Sequence, residues 1–263
     1  MLESTRLYAA TTRRVLRRSS KLGSERRLVF VAGSPRSGTT FLGSALGSLT
    51  GFVDLGEVAP LKAEIPGLYG APDAAPRVRA ILDRVRRLGL VTGLRAVEQT
   101  PEVSFILADA LRAFPDARAV HIIRDGRDVV CSLLERGWLD AGREDADNAR
   151  LPYGARARFW VEPGRAEEFE RASDATRAAW AWRRYVSAAR TVGERTLEVR
   201  YEALADAHES VAEHLDIPVE AAREALSGAH TESIGRFRED LTTEQLADFE
   251  REAGPLLKEL GYE

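Results

Sequence analysis

The amino-acid sequence predicts an α/β fold: a three-layer sandwich with a central parallel sheet of about five strands, plus a helical insertion and C-terminal helices. Three observations carry this. Short apolar runs alternate with stretches of helical period, the first run passes into a helix through a glycine-rich loop, and 263 residues suit one α/β domain with an insertion. The strand–loop–helix start makes the sandwich P-loop-type.

Leu28-Val29-Phe30-Val31-Ala32, flanked by charge before and by Gly33, Ser34 and Pro35 after, has the profile of a strand buried on both faces. From Thr39 the residues Phe41, Leu42, Ala45, Leu46 and Leu49 recur at helical spacing until Gly51. Strands are then expected at Phe52–Leu55, Arg95–Glu98, Ala119–Ile123 and Thr196–Val199. Helices are expected around Ala80–Leu88, Glu102–Phe114 and Val129–Leu134. Leu139–Arg171 breaks the rhythm with Gly, Pro and mixed charge and reads as an insertion or lid. Past Tyr201 the pattern is helical, clearest over Leu215–Ala229 and Leu241–Leu260. The expected organisation is one domain over 1–263, with a basic N-terminal helix over 1–26 and the insertion at 139–171.

Composition narrows the function classes. A chain 44% hydrophobic and 30% charged is folded rather than disordered. A net charge of −3 argues against a nucleic-acid partner, although Arg6, Arg13, Arg14, Arg17, Arg18, Lys21, Arg26 and Arg27 crowd the N-terminus. That segment is a candidate for peripheral contact with an anionic membrane, against the plainer reading of a solvated basic helix face. Cys131 is the single cysteine, so no internal disulfide or cysteine-based zinc cage can form. No apolar run reaches the roughly 18 residues of a membrane span, and the Arg-rich start lacks an apolar signal core, so the expected location is cytoplasmic. Thirty-five arginines against three lysines suggest a GC-rich bacterial genome.

Two motifs carry chemistry. Gly33-Ser34-Pro35-Arg36-Ser37-Gly38-Thr39-Thr40 has the two glycines of a nucleotide-triphosphate loop, but Thr39 stands where that loop needs lysine. Backbone donors at a helix N-terminus still favour an anion, and Arg36 adds a planar donor fork. The second motif is Arg124-Asp125-Gly126-Arg127-Asp128 after the His121-Ile122-Ile123 strand, with Ser132 following on a helix. An arginine at the carboxyl end of a parallel strand lies where ligands bind in open α/β sheets. The plainer alternative is a capping and ion-pair cluster at a helix start.

Together these motifs resemble those of the sulfotransferases. Pro35–Leu42 is similar to their 5′-phosphosulfate loop, Ile123–Ser132 to their 3′-phosphate motif, and Val199-Arg200-Tyr201-Glu202-Ala203-Leu204 to a third signature. Arg36 in the loop places the resemblance with the arginine-type branch of bacterial, carbohydrate and tyrosyl-protein sulfotransferases. The resemblance implies 3′-phosphoadenosine 5′-phosphosulfate (PAPS) as cofactor, leaving as adenosine 3′,5′-bisphosphate, and no metal. It implies cofactor binding by Arg36, Ser37, Gly38, Thr39, Thr40, Arg124, Ser132, Tyr201 and Arg236, the last from Ile234-Gly235-Arg236-Phe237-Arg238, which is similar to a loop folding over the nucleotide.

The partner it implies is an acceptor with a hydroxyl or amine, of glycan, lipid or small-molecule type. The acceptor must lose a proton. Glu57 in Asp54-Leu55-Gly56-Glu57 is the candidate base, joining Arg36 as a catalytic residue; Glu98 is its rival. Gln99 stands where related enzymes often carry lysine. His121 reads as a strand residue, and the other histidines occupy no matching context. A P-loop kinase and a non-catalytic nucleotide-binding module remain the alternatives.

Overall fold

A computed structural model describes residues 7–9, 11–12, 27–139, 159–229 and 232–262. Five strands, β1 (Leu28–Ala32), β2 (Phe52–Gly56), β3 (Arg95–Glu98), β4 (Arg118–Ile123) and β5 (Thr196–Arg200), form one sheet in the order β2-β3-β1-β4-β5. Every pairing is parallel. β1 is therefore central, with Phe30 opposite Glu98 of β3 on one edge and Ala119 of β4 on the other. Phe30 and Ala32 pack into one core cluster, and Val29 and Val31 into another. The uninterrupted apolar run reflects this burial on both faces.

Helices α1 (Thr39–Gly47), α2 (Ala59–Leu68), α3 (Ala74–Leu88), α4 (Leu107–Ala113) and α5 (Gly126–Arg136) alternate with the strands. Behind them come α6 (Ala166–Arg171), α7 (Asp174–Arg190), α8 (His208–Leu215), α9 (Val219–Leu226), α10 (Phe237–Asp240) and α11 (Thr243–Glu259). α2, α3 and α4 cover the Phe30 face; α1, α8 and α9 cover the Val31 face. The three layers follow. No helix among the described residues is long and apolar enough to cross a membrane.

Several elements differ from the periodicity reading. α2 is invisible to it because Pro60, Pro66 and Gly67 lie inside the segment. α7 is missed for another reason: Trp180 and Trp182, on nearly opposite sides, are both fully buried, which blurs its apolar stripe. Expected helix Leu215–Ala229 instead divides into α8 and α9, because Asp216 turns left-handed at φ 54° and Pro218 precedes α9. Leu241–Leu260 starts later, at Thr243, where Thr242 and Gln245 form a reciprocal capping box. The Glu102–Phe114 helix is a 3₁₀ segment, Pro101–Ile106, continued by α4.

Of the expected N-terminal helix, residues 7–9 and 11–12 are helical and the rest lies outside the described residues. Within the 139–171 insertion, 140–158 likewise lies outside them. The described remainder is built on aromatic contacts, with Trp160 edge-on to Phe169 at 5.4 Å and Phe159 edge-on to Phe105 at 5.3 Å.

The α1–β2 junction leaves no room for a side chain. A Cβ at Gly47 would stand 2.5 Å from the Asp54 backbone nitrogen. Gly47→Ala is expected to lower stability by about 2 kcal/mol or more, read as an earlier urea midpoint at unchanged slope.

Candidate active site

β1 delivers the chain into a turn that only certain residues permit. A Cβ at Gly33 would lie 2.6 Å from the Ile122 carbonyl oxygen of β4. Gly38 has φ +94°, and a Cβ there would lie 2.7 Å from the Tyr201 ring. Arg36 itself is left-handed at φ 71°, an uncommon state for a residue with a Cβ. The Arg36 Nε donates to Ser132 Oγ at 2.8 Å, tying the loop to α5.

α1 begins at Gly38, which has no side chain to cap the first-turn amides. Ser37 Oγ is buried and, among the described residues, has no hydrogen-bond partner. Thr39 is buried and Thr40 is exposed at the helix start.

Arg124, at the end of β4, reaches across the same space. Its Nη1 donates to the Arg36 carbonyl at 3.3 Å and its Nη2 to the Ser233 carbonyl at 2.5 Å. The guanidinium lies 4.6 Å from the Tyr201 ring centre, and its buried Nε is without a partner among the described residues. Arg36, Ser37, Gly38, Arg124, Ser132 and Tyr201 are thus brought to one place. Burial pushes the Arg36 pKa down, and the charges of Arg136 and Arg124 push it further, with Glu135 offsetting only part. Guanidinium groups crowded this way call for an anion among them.

Arg136 was missed from the sequence, although it follows Ser132 by one helical turn on the same face. The Arg36 guanidinium also lies 5.4 Å from the ring centre of Trp138.

The capping reading holds for the neighbours of Arg124. Asp125 accepts from the Arg127 backbone nitrogen at 2.9 Å and pairs with the Arg127 guanidinium through both oxygens, at 3.0 and 2.7 Å. Asp128 accepts from Gly235 N at 2.7 Å and Phe237 N at 3.1 Å, anchoring the C-terminal loop. Arg236 stands apart from the cationic cluster: its guanidinium pairs with Glu135 and Asp240. The loop meets Arg124 through the Ser233 carbonyl instead.

An acidic group occupies the other side of β1. Glu57 follows β2, and Lys62 Nζ of α2 donates to its Oε2 at 2.7 Å. The same ammonium lies 3.4 Å from Glu102 Oε1 of the 3₁₀ segment. Lys62 and Glu102 were not singled out from the sequence; the signal was that Lys62 is one of three lysines in the chain.

Glu98, at the end of β3, is fully buried. Its Oε1 accepts from Thr100 N at 2.9 Å, and its Oε2 has no partner among the described residues. Burial, aided by the charge of Glu57 and opposed by the Thr100 hydrogen bonds, pushes its pKa up to about 8. Gln99 turns away from this group, donating to Asp54 Oδ1 at 3.0 Å and packing against Gly43 of α1. Asp54 also accepts from Ser44 Oγ at 3.1 Å and Gly56 N at 2.6 Å.

A carboxyl whose pKa is raised on folding adds stability that is present in full below its unfolded value and lost as pH rises through its folded value. Glu98 is therefore expected to make stability fall between about pH 5 and pH 8, at a slope on the order of 1 kcal/mol per pH unit. Glu98→Gln should flatten that fall in urea denaturation series.

The sulfotransferase family model matches residues 29–220. No curated protein sequence matches the chain. Among solved structures, the sulfotransferase domain from the curacin biosynthetic pathway is 13% identical with a TM-score of 0.53, covering 93% of this chain and 99% of its own. The sulfotransferase domain from the Synechococcus PCC 7002 olefin synthase is 16% identical with a TM-score of 0.50, covering 89% of this chain and 96% of its own. These likenesses bear on the fold, and the family model spans both motifs and the sheet from the second residue of β1 through β5. The chain belongs to the sulfotransferase family.

Proposed function

We propose that this transferase moves a sulfuryl group from PAPS to a hydroxyl or amine of a glycan, lipid or small-molecule acceptor by in-line displacement. The observation that carries the reading is the convergence of Arg36 and Arg124 at the carboxyl ends of β1 and β4. There the buried Ser37 Oγ and Arg124 Nε have no partner among the described residues. These are donors without acceptors, which suits a ligand with two anionic ends.

When bound, PAPS supplies the sulfuryl group: the acceptor atom bonds to sulfur as the bond from sulfur to the 5′-phosphate oxygen breaks, the electron pair leaving with the phosphate. Ser37, Gly38, Thr39 and Thr40 would hold the 5′ end through backbone and hydroxyl donors at the start of α1. Arg36 would stabilise the charge that grows on the departing phosphate. Arg124, with Ser132, would take the 3′-phosphate, exchanging its bond to the Ser233 carbonyl for a stronger charged one. Tyr201 would lie beside the nucleotide under Arg124. Arg236 would reach it only by giving up Glu135 and Asp240.

Glu57 would accept the acceptor's proton. It follows β2, two strands from β1 in the sheet order, roughly 10 Å at the usual strand spacing. That gap leaves room for an acceptor atom between the carboxylate and the loop. Turnover would be metal-independent, because arginines provide the charge that lysine and Mg²⁺ provide in nucleotide-triphosphate sites. Thr39 in the lysine position weighs against the kinase reading.

Calorimetric titration without added metal is expected to give clear preference for adenosine 3′,5′-bisphosphate over ADP and Mg-ATP. Preference for Mg-ATP would restore the kinase reading, and no binding would favour a non-catalytic module. Arg124→Ala should cut the preference for the bisphosphate over AMP by roughly 10-fold to 100-fold, and unchanged relative affinities would remove its role. Arg36→Ala should abolish turnover. Glu57→Gln should slow it by about 100-fold or more with cofactor affinity kept; full activity would sink the base assignment.

A further inference from the structure

Thirty-five of the 38 cationic residues in this chain are arginine, yet the cation beside Glu57 is a lysine. Lys62 lies on the first turn of α2, its backbone nitrogen bonded to the Val58 carbonyl at 2.8 Å. Its side chain is 10% exposed, and its ammonium touches two carboxylates that arrive from different elements. Glu57 comes from the end of β2 and Glu102 from the segment after β3. A compact ammonium with rotatable donors can sit between two such groups; a planar guanidinium fork is larger and fixed in geometry.

The strand end itself offers no charge here. Gln99 is bonded to Asp54 and lies against α1. Glu98 is buried beside the group with one oxygen unpaired among the described residues. Lys62 of α2 brings a cation to this side of the site.

Resting on the transferase reading above, we propose that Lys62 is the positioning residue for the proton-accepting carboxylate: by bridging Glu57 and Glu102 it holds Glu57 against the acceptor. Without the ammonium, Glu57 would lose its 2.7 Å hydrogen bond and its link to Glu102, and the two carboxylates would repel each other more strongly. A displacement of the base by about 1 Å is enough to cost roughly 100-fold in rate.

The test uses water as the acceptor, so that no natural acceptor is needed. The water oxygen bonds to sulfur, the bond from sulfur to the 5′-phosphate oxygen breaks, and Glu57 takes one proton, giving adenosine 3′,5′-bisphosphate and hydrogen sulfate, which loses its remaining proton to solvent. Lys62→Gln is expected to lower kcat by roughly 100-fold while KM for PAPS stays within about twofold. Lys62→Arg should recover only part of the loss. The double variant Lys62→Gln/Glu57→Gln should be no slower than Glu57→Gln alone, because Lys62 acts through Glu57. Equal slowing in both backgrounds, or a raised KM with kcat unchanged, would overturn the proposal.

A readout apart from turnover is the side-chain ammonium signal of ¹⁵N-labelled lysine. The chain has three lysines, and Lys62→Arg identifies the relevant resonance. The signal should move in both Glu57→Gln and Glu102→Gln; a signal unmoved by Glu57→Gln would overturn the bridge. Calorimetry on the wild-type chain separates the two levels. Absence of adenosine 3′,5′-bisphosphate binding would defeat the transferase reading, whereas binding with additive rate losses would defeat only the role of Lys62.

Discussion

Burial of β1 on both edges and both faces is the constraint from which the site follows. A strand hydrogen-bonded to β3 and β4 and packed between two helical layers cannot shift or turn, so its carboxyl end emerges at one fixed point. The glycine loop starts there, pressed so closely against β4 and Tyr201 that Gly33 and Gly38 admit no side chain. The left-handed Arg36 is a local cost that this packing sustains. Because every strand is parallel, the ends of β2, β3 and β4 open on the same edge and bring their loops to it.

Two charge groups of opposite sign share that edge. On the β4 side, burial and the nearby charges of Arg136 and Arg124 hold the Arg36 pKa below its ordinary value. On the β2 and β3 side, Glu57 and Glu102 meet at the Lys62 ammonium, with Glu98 buried at the end of β3. Neither arrangement favours stability by itself, since like charges are gathered and partly desolvated. The sheet order sets β3 between β2 and β1, so in the proposed reaction a group seated on the loop would have cations on one side and carboxylates on the other. Transfer of an anionic group with removal of a proton needs that asymmetry.

The C-terminal segment belongs to the same construction. Asp128 holds Gly235 and Phe237 by their backbone nitrogens, and Arg124 holds Ser233 by its carbonyl, so the start of α5 organises both the arginine and the loop over it. The Trp182 indole nitrogen donates to the Arg124 carbonyl at 3.1 Å, joining α7 to this corner. A Cβ on Gly126 would press into the rings of Trp182 and Phe249, so helix, loop and core meet without slack.

The sequence alone determined the five strands and the loop, because these depend on local signals; the expectation that Arg36, Arg124, Ser132 and Tyr201 share one site came from the resemblance to the sulfotransferase motifs. Continuous apolar runs mark two-faced strands, and glycines mark positions where a Cβ would collide. It did not reveal α2 or α7, since prolines mask one and tryptophans buried on nearly opposite sides blur the period of the other. Nor did it reveal that Lys62 joins Glu57 to Glu102, that Gln99 is taken up by Asp54, or that Arg236 pairs outward with Glu135. Those pairings join residues from separate elements, as far as 101 positions apart for Arg236 and Glu135. Only the packing of helices against the sheet decides which charged side chain meets which, because no local spacing encodes the distance between two loops at the edge of a sheet.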